Sequence, residues 1–564
     1  MSSPRFGSSF SQQCFTIALH LLFLLVSSAI VQATRYVLQA GRSGFYTYAI
    51  FDHPQGWPDL KIDQARISLN LKARMFNFMA ISDHIQRRMP TAADRVYGSQ
   101  PLAYKEAVLL THPSNPTFKG EVDDKYQYSL ESKDTNVHGW ICPKPHIGFW
   151  VITGSSEFRS SGPIKQDLTS HVGPVALSGK FTRLACEMGR HGKRYISRKL
   201  MSAKFAYVGL APPGNAGSWQ RDVKGYQFWT QTNKTGYFKI RAVRPGNYNL
   251  YAWVPGFLGD YKYNISINIT PGDNINVRNL VFYPPRNGPT LWEIGIPDRK
   301  ASEFFVPDPK PGLVNRLFIN RTAEKFRQYG LWDRYTDYYP KHDLVYTVGK
   351  SDYTRDWFFA HVNRRVGRNH VYESTTWRIL FSLNNVNRAG NYTLRIALAG
   401  SSYADILVRN AIARHGIHGI YSKHRFTFLG SQLVNGENTI YLQQPNSGNP
   451  FRGVMYDYIR LEGDKTDTNK DSLSTPTFSP LSSPSPNPAG TGAFSPSPTP
   501  TFSPLSSPSP SPNPAGTGAF SPSPTPTFSP LSSPSPSPNP AGTRAFSPSP
   551  IPDFFPTILP VLVP

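Results

Sequence analysis

Cysteine is scarce: three in 564 residues, at Cys14, Cys142 and Cys186. That excludes a disulfide-stapled scaffold. Since Cys14 falls in a segment expected to be removed, Cys142 and Cys186 are left either to pair or to stay free. Long amphipathic helical repeats are scarce as well, which points to an all-β chain. No glycine loop followed by Lys-Ser/Thr cradles a phosphate, and no G-x-S-x-G elbow presents a nucleophile. His415 and His418 in "ARHGIHGIY" stand three apart, but a glycine between them disfavours a helix and no Cys or carboxylate pattern accompanies them. No metal site and no cofactor are expected. Acidic residues are few, 36 against 60 Lys and Arg, for a formal charge of +24. The cations are dispersed rather than gathered on one arm, so the reading is no nucleic acid but an anionic partner or surface.

What is present begins with an apolar run from Phe15 to Leu25 behind one early cation, Arg5, passing into small residues and "VQA". This is the pattern of a secretory signal peptide over 1–33, cut after Ala33. Secretion to the extracellular space or cell wall follows, with no stable membrane association after cleavage. Five N-x-S/T sequons, at Asn233, Asn264, Asn268, Asn320 and Asn391, agree with that route.

From Arg35 to about Gly463 short alternating runs such as "GYFKIRAV", "NYNLYAWV" and "YTLRIALAG" alternate with Gly, Pro and Asn turns. They predict half-buried strands and an all-β chain of packed sandwiches. Composition shifts divide it at 35–193, 194–284 and 285–463. Beyond Asp464, "TPTFSPLSSPSPNPAGTGAF" recurs with small variations from Thr475, Thr499 and Thr525. So little apolar surface and so much proline predict a disordered tail over 464–564, either an unmodified spacer or an O-glycosylated stalk.

One stretch, "VDDKYQYSLESKDTNVHGW", concentrates chemistry. Its "YQYS" reads as a strand entered by Lys125. On such a strand Asp123 and Lys125 share a face, so Lys125 could be a salt-bridged surface residue. From spacing alone that bland reading is favoured. His138 reads as a hydrogen-bonded structural histidine, and Tyr126, Tyr128, Trp140 and Trp150 as core aromatics more readily than as sugar platforms.

The ordered blocks "GEVDDKYQYS", "KQDLTSHVGP", "KFAYVGLAPPG", "YNLYAWVPGFLGDYKY", "GPTLWEIGIPDR" and "DLVYTVGKSDYTRDWFFA" resemble plant rhamnogalacturonate lyases of polysaccharide lyase family four. The resemblance implies a catalytic β-sandwich, a fibronectin-type-III-like sandwich and a jelly-roll module of carbohydrate-binding type, acting as a monomer. It implies rhamnogalacturonan I, a pectic polysaccharide, as substrate and β-elimination at the rhamnose-to-galacturonate bond. Abstraction of the C5 proton builds charge beside a carboxylate, so a base, an acid and a cation are wanted.

The family motifs place the first two at Lys125, as base, and His171, as acid, with the reverse allocation as the alternative. Such a lysine needs its pKa depressed, and Asp123 and Asp124 push the other way. Arg87 is the candidate for the substrate carboxylate. Arg88 could supply a second cation where relatives carry an Asn-Arg pair and this chain has His84 and Ile85. Tyr126 and Tyr128 are the candidate sugar contacts. Relatives have further catalytic-domain strands before "SGFY" and after "TSHVGPVALSGK", so the first sandwich is expected to be incomplete. Two competing readings stand beside the lyase: a catalytically impaired pectin-binding wall protein, and a structural O-glycosylated glycoprotein.

Overall fold

The structure is a computed structural model that describes residues 31–41, 43–52, 55–57, 71–72, 75–104, 106–134, 137–152, 157–158, 162–164, 166–167, 192–196, 199–221, 225–367, 371–401, 416, 419–444, 451–464 and 561–563. His171, Cys186, His415, His418 and the tail repeats lie outside them. Strands dominate, as the alternating pattern predicts, and no described helix is long and apolar enough to cross a membrane.

In the third module two sheets face each other. Thr375–Leu383 and Gly436–Gln444 pair antiparallel with Trp377 opposite Leu442 and Ile379 opposite Ile440. The period-two alternation of "TTWRILFSL" turns Trp377, Ile379 and Phe381 into the core and Arg378 and Ser382 outward. The facing sheet runs Thr290–Gly295, Gly453–Glu462, Asn391–Ser401, Ser422–Leu429. Its central strand Gly453–Glu462 is buried along its whole length. One face of that strand meets the sandwich core; on the other, Tyr458 joins Ala397, Tyr421 and Leu258 of the second module in one buried cluster. Val561–Val563, in the expected tail, pairs as an edge strand with Gly436–Gln444.

The second module centres on Tyr207–Ala211, flanked by Gln227–Gln231 and Gly246–Trp253, with Phe228, Leu210 and Leu250 in one register row. Glu157–Phe158 extends this sheet by pairing with Gln227–Gln231. Gly192–Ile196, which straddles the expected boundary, pairs parallel with Leu280–Phe282.

In the first module Val31–Leu38 pairs with Phe45–Asp52, so the strand starts ahead of the expected cleavage point. A four-stranded sheet follows, in the order Ile147–Ile152, Val137–Cys142, Phe78–Ala80, Gln86–Arg88. One face packs Met79, Trp140, Cys142 and Phe149 around Tyr128 and Phe318, the last from the third module. Val137, Trp150 and Ile152 are exposed, Trp150 at 45%. Cys142 is a buried free thiol.

A smaller sheet, Ser99–Pro101, Ala107–Leu110 and Val122–Asp124, docks elsewhere: Tyr104, Ala107, Val122 and Tyr126 belong to the same apolar core as Tyr329, Leu331 and Trp332 of the third module. The first and third modules therefore share apolar cores although more than 190 residues of sequence separate Val122 from Asn315.

Candidate active site

The stretch around Lys125 departs from the expected strand. Val122–Asp124 is a strand buried on both faces, and Lys125–Tyr128 turns at once into a 3-10 helix. Asp124 is the reason. Its Oδ1 accepts the backbone N–H of Tyr126 at 3.1 Å, while its own N–H donates to Gln127 Oε1 at 3.2 Å, so both sides of the turn's start are capped. Its Oδ2 accepts the Tyr104 hydroxyl at 2.6 Å. Burial pushes the Asp124 carboxyl up to about 7, against these hydrogen bonds that favour its charged form.

The surface pair between Asp123 and Lys125, natural on a strand, is replaced. Asp123 is buried, ion-paired with Arg95 and hydrogen-bonded by the Tyr128 hydroxyl at 2.9 Å. Lys125 leaves the turn in another direction. Its side chain is only 13% exposed, its Nζ lies 3.4 Å from Glu106 Oε1, and it sits 5.0 Å over the Tyr126 ring. Held between Glu106 and the Tyr126 ring, Lys125 is not a loose surface lysine.

Tyr126 and Tyr128, the candidate sugar contacts, are buried. They are 8% and 1% exposed; Tyr126 packs edge-on to Tyr104, and the Tyr128 hydroxyl is held between Asp123 and Asn315. The 3-10 twist turns both rings inward, which two residues on one strand face could not have shown. Arg87 is likewise committed. It forks onto Glu121 at 2.9 and 3.1 Å, donates to Asn315 Oδ1 at 2.9 Å and lies over Phe118. Its pKa is raised; burial works against the charge and Glu121 outweighs it. A guanidinium so occupied does not offer its fork to a substrate carboxylate. Arg88, its neighbour on the strand Gln86–Arg88, is exposed.

His138 is fully buried, yet neither ring nitrogen has a hydrogen-bond partner among the described residues, contrary to expectation. Desolvation lowers it to about 4, and it meets Trp140 edge-on. His171 lies outside the described residues, so its distance to Lys125 is not part of the geometry.

Two further residues organise the site. Asn315, in the third module, is fully buried: its Nδ2 donates to Gln127 Oε1 at 2.9 Å, to the Tyr128 hydroxyl at 3.0 Å and, more weakly, to the Val122 carbonyl at 3.3 Å. Glu121 receives Arg87, Arg316 and the Arg316 backbone N–H. Nothing local in "GLVNRLF" identifies Asn315. Glu121 was legible only as one more charge in "GEVDDKY".

Comparison with known proteins supplies what geometry alone does not. Residues 27–122 match the "Rhamnogalacturonate lyase family", 203–277 match "Polysaccharide lyase family 4, domain II", and 290–461 match "Polysaccharide lyase family 4, domain III". Among curated proteins, a rhamnogalacturonate lyase of Dickeya dadantii is 22% identical over 56% of this chain and 57% of its own length. Rhamnogalacturonate lyase B of Emericella nidulans is 25% identical over 76% and 81%. A protein named probable rhamnogalacturonate lyase B from Aspergillus fumigatus is 28% identical over 42% and 43%. The chain thus spans about half the length of two of these relatives. With its matched segments falling in order on the rhamnogalacturonate lyases and on domains II and III of one lyase family, the chain belongs to polysaccharide lyase family 4.

Proposed function

We propose that the protein is a secreted lyase that cleaves rhamnogalacturonan I at the rhamnose-to-galacturonate bond by β-elimination. Lys125 takes the C5 proton and His171 protonates the departing glycosidic oxygen. The observation that carries this reading is the doubly capped turn after Val122–Asp124. It fixes Lys125 on a buried platform within a chain whose matched segments are those of the lyase family. The elimination needs a cation near the uronate, and Arg88 is the exposed candidate, Arg87 being occupied. For Lys125 to act as base, substrate must draw its Nζ away from the ion pair with Glu106. A net charge of +24 suits a polyanionic substrate.

The test is the ultraviolet absorbance of new unsaturated uronate when the purified chain meets rhamnogalacturonan I. Turnover by the native chain, abolished in Lys125→Ala and in His171→Ala with polymer binding retained, is expected. Undiminished turnover in either variant refutes the assignment.

The pairing of Lys125 with Glu106 and the capture of Arg87 by Glu121 favour a second reading, a pectin-binding wall protein without turnover. It predicts polymer binding with no new absorbance in the native chain.

A further inference from the structure

A sheet edge presents unpaired N–H and C=O groups that invite another strand, and two edges of the third module are blunted in ordinary ways. Val345–Thr347, at one end of the sheet that holds Trp377, is only three residues long. Ser422–Leu429, at an end of the facing sheet, carries the exposed cations Lys423 and Arg425.

Gly436–Gln444 has neither protection. It is nine residues long and pairs with Thr375–Leu383 one to one along its whole length, without a bulge. Its sequence, "GENTIYLQQ", holds no proline, no lysine and a single charge, Glu437. Ile440 and Leu442 are fully buried, so the core fixes the register and with it the backbone edge turned away from Thr375–Leu383.

What meets that edge is Val561–Val563, antiparallel, with Thr439 opposite Val563, Ile440 opposite Leu562 and Tyr441 opposite Val561. In sequence this segment differs from the repeats before it: "FFPTILPVLVP" has no serine and no charge, and Val-Leu-Val suits extended backbone. Pro560 and Pro564 bracket it, and a residue without an N–H ends a ladder. The same prolines disfavour a further strand outside Val561–Val563.

We propose that the outer edge of Gly436–Gln444 is a docking site for one short apolar strand, that its occupant is this chain's own Val561–Val563, and that the docked strand is a cap that keeps a second copy of the chain off the same edge. A second copy is the competitor because its own Gly436–Gln444 offers the same unblunted edge, and two such edges pair antiparallel about a twofold axis. The chain's own strand prevails by proximity. Asp464, whose side chain accepts the Asn391 N–H at 2.7 Å, is joined to Val561 through the chain, so the strand meets its edge at an effective concentration that a separate molecule in dilute solution does not reach. Closing so long a connection costs entropy that grows only with the logarithm of its length. A ladder of three residues is nonetheless short, so the cap opens and closes.

The full chain and a variant lacking residues 561–564 are compared by hydrogen exchange of residues 436–444 and by sedimentation over a range of concentrations. The native chain is expected to be a monomer whose outward amides in this strand exchange about tenfold more slowly than in the variant. The variant is expected to form dimers as its concentration rises, and a synthetic peptide of residues 557–564 to restore both the slow exchange and the monomer. Equal exchange in the two chains overturns the docking. Faster exchange in the variant without dimers overturns the cap. A native dimer whose slow exchange is lost on dilution overturns the chain's own strand as occupant, in favour of one donated by a second copy.

Discussion

Replacing Asn315 by alanine tests whether the third module is a structural part of the Lys125 site. The side chain is fully buried and touches five groups: Arg87 and the Leu317 N–H on its oxygen, and Gln127, Tyr128 and the Val122 carbonyl on its nitrogen. Not all five are stranded by its loss. Arg87 keeps Glu121, Gln127 Oε1 keeps the Asp124 N–H, and Tyr128 keeps Asp123 as acceptor. The Leu317 N–H loses the acceptor that caps its 3-10 turn, and a polar cavity replaces the amide.

At about 1–3 kcal/mol per buried polar group left without a partner, the cost is about 3 kcal/mol rather than the sum over five bonds. For a module of 150–250 residues that lowers the thermal midpoint by roughly 6–12 °C. Thermal and urea unfolding of the full chain, read by tryptophan fluorescence and circular dichroism, measure it. Proteolysis should at the same time open residues 75–152 before the rest. A change below about 0.5 kcal/mol, the range of ordinary surface substitutions, would refute the view that this amide joins the modules.

Three other outcomes are expected. Glu106→Gln removes the anion 3.4 Å from Lys125, so if Lys125 is the base, the rising limb of the pH–rate profile moves to lower pH; an unmoved limb detaches Glu106 from the reaction. Folding depresses His138 from 6.5 to about 4 and His361 to about 3 by desolvation, so both stabilise the neutral-pH fold fully above pH 6.5, and the contribution is lost as pH falls through the folded values. That is about 3 kcal/mol for His138, and His138→Gln should flatten the loss of stability measured by urea titration between pH 6.5 and 4. Finally, residues 35–193 expressed alone should show no sharp cooperative transition, whereas the chain to 463 should; a monomeric fragment with its own transition contradicts the shared cores.

The strands of the third module were legible from short runs such as "YTLRIALAG", which lies in the strand Asn391–Ser401. The turn at Lys125 was not. "VDDKYQYS" has strand composition, and what converts it is a pair of side-chain caps, Asp124 and Gln127, whose effect depends on the tertiary contacts that hold Tyr104 and Asn315 in place. The same contacts turn Tyr126 and Tyr128 inward. Arg87 looked available because a single sequence shows a cation but not its partner, and Glu121 is 34 positions away. His138 shows the reverse failure: histidine in a strand suggests a satisfied polar side chain, yet beside Trp140 neither of its ring nitrogens meets a hydrogen-bond partner among the described residues.

The placement of Asn315 and Phe318 changes what can be separated experimentally. If the third module only held polymer near the active site, deleting it would weaken binding and leave turnover of short substrates intact. In this structure it supplies Phe318 to the core beneath the first module's sheet, Tyr329 and Trp332 against Tyr104, and the amide that pins Gln127 and Tyr128. Those two residues belong to the turn whose first residue is Lys125. Loss of turnover on deletion would therefore say nothing about carbohydrate binding by the third module. The two roles come apart only through point substitutions: Asn315 or Phe318 for the buttress, and exposed side chains of the third module for any contact with polymer.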